Sequence, residues 1–376
     1  MTAVQPDNGP GPGVLKDRGP SAVSPAGLGP RIAFSWNGLP QYAARLLRAA
    51  MDRLNEPCVV VGSRPSVPVE GMERVLGQMV HWVDADKPAS WRDLGLAVPQ
   101  VFVQSGWSYP AFSELGHQVK AAGGRVIGLS DANWRGDLRQ TVLGPVAFRA
   151  RHRSHFDAML VPGRQGERLM GHFGMPADRI RRGMYGADPD IFTGGPPLCM
   201  RPKTFQFVGQ FIARKEVLCL SRAFLRFSQR RPGWTLRLTG SGEQKEQIPS
   251  DRSIEVEAFV QPEQLAMRYH ASRFFVLPSR SEAWGLVVHE AVLCGCALIL
   301  SDAIGSGDDL ATGRNSLRFQ ARDEDDLVRA LTEAADRDDA WLTTAESESR
   351  ALARQFGPDR FATELVSLIN DQALSS

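Results

Sequence analysis

The sequence predicts an α/β protein made of two Rossmann-like, doubly wound domains facing a central cleft. Three observations carry this reading. Short runs rich in Val, Ile, Leu and Phe alternate with helical stretches, as in parallel sheets covered on both faces. Many of these runs end in Gly, Ser or Asp, where doubly wound sheets place their ligand loops. The runs also fall into two series, separated by the Pro- and Gly-rich stretch DPDIFTGGPPL (188–198), which has the composition of a linker.

Taken in order, residues 1–30 contain 12 Gly or Pro and no apolar periodicity, which predicts a disordered tail. The first domain, 31–193, contains RIAFSW (31–36), PCVVVGS (57–63), QVFVQSG (100–106), RVIGLSD (125–131) and AMLVPG (158–163). The second, 194–355, contains TFQFVGQ (204–210), LRLTGSG (236–242), IEVEAFV (254–260), FFVLPS (274–279) and ALILSD (297–302). A final helix within 356–376 follows the second sheet and can pack back on either domain, the N-terminal one included.

The 376 residues suit two domains with ample core. A net charge of +2 implies no polyelectrolyte partner for the chain as a whole. Five cysteines without a CxxC pair fit a reducing compartment and argue against a disulfide framework or a structural zinc site. No signal pattern and no bilayer-length apolar run is present, so the expectation is a cytoplasmic protein.

The most informative stretch is SEAWGLVVHE (281–290). It places a polar loop, a glycine and the start of an apolar helix between the strands FFVLPS and ALILSD. Glu282 falls in the loop at the cleft mouth, and Glu290 lies on the helix. Gly285 permits close backbone approach, and the first amides of the helix form an anion site. A carboxylate accepts two hydrogen bonds and suits the vicinal diols of sugars and riboses. Two such groups around a phosphate site describe a nucleotide-sugar. Glutamates flanking a helix are common, so the pattern gains its force from this placement.

In this segment the chain resembles the retaining glycosyltransferases of family 4, which have the GT-B fold. PSRSEAWGLVVHEAVLCGCALILSD (278–302) looks like that family's donor signature, with its Glu-x7-Glu motif at Glu282 and Glu290. FVGQFIARKEVLCLSRAF (207–224) looks like its phosphate-binding segment, and LRLTGSGE (236–243), IEVEAFVQPEQLAMRYHASRFFVLPS (254–279) and IGSGDDLATGRN (304–315) follow in the family's order. The resemblance implies that Glu282 holds the transferred sugar and Glu290 the ribose. Lys215, helped by Arg214, would hold the diphosphate beside Gly209. Gly285, Leu286 and Val287 would offer amides, Phe259 and Val260 would lie along the base, and Gly38 would be the close-approach residue of the N-terminal domain. It further implies a metal-independent reaction without a cofactor, in which a sugar moves from a nucleotide-sugar donor to a glycan or lipid-linked acceptor. Surface polysaccharide or glycolipid synthesis would be its setting.

The chain departs from the family at three places. Gln210 stands where an arginine is frequent, Ala258 where a glycine is, and the histidine of a middle N-terminal strand is absent from VIGLSDANWRGD (126–137). Ser130 or Asp131 occupies that place. Asp131, Trp107 and Trp134 are acceptor-side candidates, although the aromatic rings suit core packing equally. The absent histidine keeps a nucleotide-sugar hydrolase or epimerase in view, and a non-catalytic nucleotide-sugar binder is the reading from another class. A dehydrogenase is disfavoured, since no GxGxxG follows either first strand.

Two Asp-x-Asp pairs, Asp84/Asp86 and Asp188/Asp190, read as turns rather than metal ligands. From Arg135 to Arg182, ten arginines stand against four acids. This stretch is either a solvated face or a contact for an anionic membrane or lipid-diphosphate acceptor at the inner face of the membrane. Nucleic acid is disfavoured because aromatics are not interleaved. His152 and His155 within it read as surface residues.

Overall fold

The computed structural model describes residues 30–65, 71–134, 136–371 and 374. The tail expected over 1–30 therefore lies outside the described residues up to position 29, as does Arg135.

Two parallel sheets form the molecule. The first contains β1 (Ile32–Trp36), β2 (Cys58–Gly62), β3 (Val80–Trp82), β4 (Val101–Ser105), β5 (Arg125–Leu129), β6 (Ala158–Val161) and β7 (Ile180–Arg182), in the order β3-β2-β1-β4-β5-β6-β7. The second contains β8 (Thr204–Val208), β9 (Thr235–Thr239), β10 (Ile254–Glu257), β11 (Phe274–Leu277), β12 (Ala297–Ser301) and β13 (Ser316–Phe319), in the order β10-β9-β8-β11-β12-β13. The inner strands are buried along their whole length (IAFSW, VFVQS, TFQFV, FFVL and ALILS), as strands covered by helices on both faces must be. This is the α/β architecture expected from the alternating apolar runs.

Three strands escape the sequence reading: β3 (VHW), β7 (IRR) and β13 (SLRF). All three are sheet edges, and each is short and partly polar. Such edges resist further pairing, and they lack the apolar run that betrays an inner strand.

Each sheet reverses its winding once, between β1 and β4 in the first and between β8 and β11 in the second. These switch points open crevices at the carboxyl ends of the strands, where doubly wound folds bind ligands.

The chain crosses between the sheets twice. The outward crossing leaves β7 and reaches β8. The return follows the helix Asp339–Ala353, and the last helix, Pro358–Asn370, then packs on the N-terminal helix Gln41–Leu54. Phe361, Leu365, Leu368 and Ile369 share one apolar cluster with Ile32, Phe34, Leu46 and Leu47 of the first sheet's core. Arg125 donates to the carbonyls of Asp371, at 2.7 Å, and of Ile369, which ties the helix end to β5. The C-terminal helix thus completes the N-terminal core. Leu365→Ala should cost about 2–5 kcal/mol, as buried leucine truncations do. Denaturant unfolding checks this, and a loss under about 1 kcal/mol would contradict the packing role.

Candidate functional site

The loops after β8 and β11 meet at the second sheet's switch point. After β8, Gly209 turns the chain with φ +155°, and its amide donates to the Thr239 carbonyl at 3.1 Å. The need for glycine is steric. A Cβ on the neighbouring Gly240 would sit 1.9 Å from the Gly209 carbonyl oxygen, so the two loops stack backbone on backbone. A short 3-10 turn, Ala213–Lys215, then brings Arg214 and Lys215 to the loop after β11. Glu216 follows in the left-handed region, φ 56°, and pairs with Arg280, whose own amide donates to the Arg214 carbonyl at 2.9 Å. Arg280 and Glu216 went unnoticed in the sequence; they lock the two loops together.

Glu282 is the meeting point. Its carboxylate accepts from Lys215 Nζ and, at 3.0 Å, from Arg214, which also reaches the Ser281 carbonyl at 2.9 Å. Lys215 is buried, so this is a partly desolvated cluster of two cations and one carboxylate. From the opposite sheet, Asn133 Nδ2 donates to the Glu282 carbonyl at 3.0 Å. The cleft is thus bridged at the residue expected to hold the sugar.

Gly285, at φ 85°, caps the helix Leu286–Leu293. The amides of Leu286 and Val287 lie in its first turn, ahead of any carbonyl within the helix that can accept from them. Glu290 is half-buried on this helix and accepts from the Tyr269 hydroxyl at 3.0 Å. Burial lifts its carboxyl from the ordinary 4.5 to about 7, only partly opposed by the tyrosine's hydrogen bond.

Two residues between the glutamates have a different task. His289 is fully buried, accepts the Ala187 amide at Nδ1 (2.8 Å) and meets the Ala353 carbonyl from Nε2 (2.9 Å). These partners fix a neutral ring with its proton on Nε2, and burial pushes its pKa down to about 4. Ala187 lies on the outward crossing and Ala353 at the start of the return. Trp284 packs on Phe356 at 4.9 Å, and a Cβ on Gly186 would lie 2.2 Å from the Gly357 Cα. The helix Leu286–Leu293 is therefore pinned to both interdomain crossings. A second clasp lies nearby. Asp309 accepts the Arg164 amide at 2.9 Å, with the Arg164 and Arg182 guanidinium groups each 3.8 Å away.

Phe259 is exposed in the loop after β10, with Val260 half-buried beside it. Gly38 adopts φ +58°, but its amide donates to Ser63 Oγ at 2.7 Å. At the first sheet's switch point an open cavity of about 590 Å³ is lined by Asn37, Ser63, Arg64, Trp82, Asp86 and Tyr109. The loop positions after strands signalled this pocket, but its residues carry no motif. Asp131 is exposed just after β5 and bonded by Tyr185; burial above all, with the Asp131 charge adding to it, raises the pKa of that hydroxyl and those of Tyr42 and Tyr109.

One expectation needs correction, that for His155, and the other candidates find their surroundings. Trp107 packs edge-on against Phe148 at 5.4 Å and Phe156 at 6.3 Å, and Trp134 is covered by Arg168 at 4.7 Å and His172 at 5.0 Å. Both rings pack within their own domain and keep part of their surface exposed. His155, expected at the surface, is not there. It is buried against Gln104 at 2.8 Å, and its pKa falls to about 4, chiefly through desolvation. The Asp-x-Asp pairs are turns: Asp84 accepts the Asp86 amide at 3.1 Å, and Asp188 that of Asp190 at 2.9 Å.

Comparison with known proteins matches residues 202–337, the second sheet and its site loops, to the family model of Glycosyl transferases group 1. D-inositol 3-phosphate glycosyltransferase of Rhodococcus erythropolis is 32% identical over 163 residues, which is 40% of this chain and 35% of that protein. Glycogen synthase of Mycobacterium tuberculosis is 29% identical over 180 residues, 45% of this chain and 43% of that one. Both matches span less than half of the relative. Among solved structures, Anabaena Alr3699/HepE in complex with UDP and glucose superposes with a TM-score of 0.68 at 14% identity, covering 90% of this chain and 99% of that one. The fold is GT-B.

The Glu290 environment yields a pH prediction. Its raised pKa means that the folded state holds a proton between pH 4.5 and about 7 that the unfolded chain has released. Stability from this group is thus lost as pH rises through that window. Glu290→Gln should raise the thermal midpoint of the unliganded protein at pH 8 by a few degrees, with no gain at pH 5. Thermal unfolding across pH 5–8.5 measures this; an equal shift at every pH would contradict it.

Proposed function

We propose that the chain is a nucleotide-sugar-dependent glycosyltransferase of the retaining type. The observation that carries this reading is the meeting of Lys215, Arg214 and Glu282 at the amino end of a helix that also bears Glu290, on the side of the cleft that Asn133 bridges. The match of 202–337 to a glycosyltransferase family model supports it.

In this reading Glu290 takes the ribose hydroxyls, and the amides of Gly285, Leu286 and Val287 take the distal phosphate. Lys215 and Arg214 exchange Glu282 for the diphosphate, and the freed carboxylate takes the sugar hydroxyls. Phe259 and Val260 lie along the base. The acceptor, a glycan or lipid-linked sugar, enters from the pocket of Asn37, Arg64 and Tyr109, with Asp131 at its edge. Its hydroxyl attacks the anomeric carbon as the bond to the phosphate breaks, and the hydroxyl proton passes to the departing phosphate oxygen on the same face. The protein supplies position and charge stabilisation rather than a nucleophile. Two cations and a helix terminus do what a divalent ion does in other transferases. Surface polysaccharide or glycolipid synthesis is the proposed setting.

Glu282→Ala should lower transfer by at least about 100-fold, the scale of removing one preorganised group. Nucleoside-diphosphate affinity should hold or rise, since Lys215 and Arg214 lose their carboxylate. Glu290→Ala should weaken the nucleotide about tenfold, as loss of hydrogen bonds to a charged group does. Calorimetric titration with UDP, GDP and ADP, alongside transfer assays, tests both; equal loss of nucleotide affinity in the two variants would overturn the division of roles. Activity should survive EDTA, and a strict divalent requirement would overturn the metal-free mechanism. Hydrolysis of donor with every acceptor supplied would favour a hydrolase instead.

A further inference from the structure

The helical segment from Leu138 to Arg151 opens in π-helical form over Arg139–Leu143 and continues as α-helix from Gly144. Its inner face is buried through Gln140, Pro145 and Phe148. Its outer face exposes Leu138 at 74%, Val142 at 52%, Leu143 at 64% and Val146 at 67%. The spacing i, i+4, i+5, i+8 gathers these four on one side. Exposed apolar residues occur singly on most surfaces, so four on a single helix ask for a partner.

Arg139, Arg149 and Arg151 border this face, are exposed, and have no carboxylate partner among the described residues. The basic character read from the sequence is therefore not spread evenly. Arg164 and Arg182 are drawn to Asp309, Arg181 faces Glu364 at 3.7 Å, and Arg153, Arg168 and Arg179 lie off this helix, so Arg139, Arg149 and Arg151 are the arginines that stand beside the apolar face.

We infer that this helix seats the protein on an anionic phospholipid surface, with Leu138, Val142, Leu143 and Val146 entering the headgroup–acyl boundary and the arginines holding lipid phosphates. The face is exposed and aliphatic with a cationic border, the combination that interfacial helices present. It lacks the aromatic anchors that centre protein–protein interfaces and the stacking rings of a nucleic-acid binder. Its place in the fold adds to the argument. Gln140 Nε2 donates to the Asn133 carbonyl at 2.9 Å, and Asn133 donates to the Glu282 carbonyl at 3.0 Å. Two hydrogen bonds thus separate the lipid-facing helix from the donor-site loop, so a lipid-borne acceptor would rise from the bilayer directly beside the cleft. Only this last benefit rests on the transferase reading; the membrane contact does not.

Flotation of the full chain tests the inference without any donor. Vesicles of phosphatidylcholine alone are compared with vesicles containing phosphatidylglycerol. The chain should float with the anionic vesicles only, and less so as salt is raised. The double variant Leu143→Ser/Val146→Ser should bind at least about tenfold more weakly, from two lost apolar side chains. Arg139→Gln/Arg151→Gln should lose about tenfold as well. All these positions are exposed, so wild-type thermal midpoints are expected and serve as the folding control. Three outcomes would overturn the inference: no flotation, equal flotation on neutral vesicles, or a lipid-free dimer that Leu143→Ser/Val146→Ser abolishes, since that would identify a second copy as the occupant.

Discussion

A neutral, fully buried imidazole holds the arrangement together. His289 takes one hydrogen bond from the outward crossing at Ala187 and gives one to the return crossing at Ala353. It can do both only in the uncharged form, which burial enforces. Protonation would leave the Ala187 amide facing a second donor at a fully buried position. The ring sits on the helix whose amino end and Glu290 are proposed to hold the donor. Any change in the angle between the sheets must therefore pass through that helix. Contacts of Trp284 with Phe356, and of Gly186 with Gly357, tighten the same joint from either side.

This explains a feature that the motif alone leaves obscure. SEAWGLVVHE contains a histidine and a tryptophan that no ligand role requires. Both point away from the ligand side and toward the crossings. One short segment thus serves two ends: its carboxylates meet Lys215, Arg214 and Tyr269, while its histidine and tryptophan meet the crossings. The buried histidine contributes stability above its unfolded pKa that disappears as pH falls from 6.5 toward 4. Glu290 acts in the opposite sense over an overlapping range. Their opposition flattens the response of the joint and the site to moderate acid.

The fold was legible because inner strands of parallel sheets must be apolar on both faces, and such runs stand out in any sequence. The edges β3, β7 and β13 were not legible, because an edge needs only a few residues and tolerates Arg, His and Ser. The loops after β8 and β11 were legible through glycine, charge and order along the chain. The joint was not, because its hydrogen bonds link residues 102 and 64 positions apart and leave no local pattern. Trp107 and Trp134 have packing partners, Phe148 and Arg168, that are distant in the chain and leave no local pattern. The burial of His155 was hidden for the same reason, since its partner Gln104 lies on a strand.

The two glutamates differ most in how their charge is balanced. Glu282 lies between two cations, whereas Glu290 has no cationic partner among the described residues and burial lifts its carboxyl to about 7. The cluster of Lys215, Arg214 and Glu282 carries a net charge of only about +1, to which the helix end adds about half a charge. A diphosphate cannot be neutralised there while Glu282 keeps both cations. In the proposed reaction the diphosphate must displace the carboxylate, and displacement is what frees Glu282 to face the sugar. Binding of the leaving group and orientation of the transferred group then become one event. A nucleotide lacking the diphosphate would leave Glu282 paired, and a sugar lacking the nucleotide would find no free carboxylate to hold it.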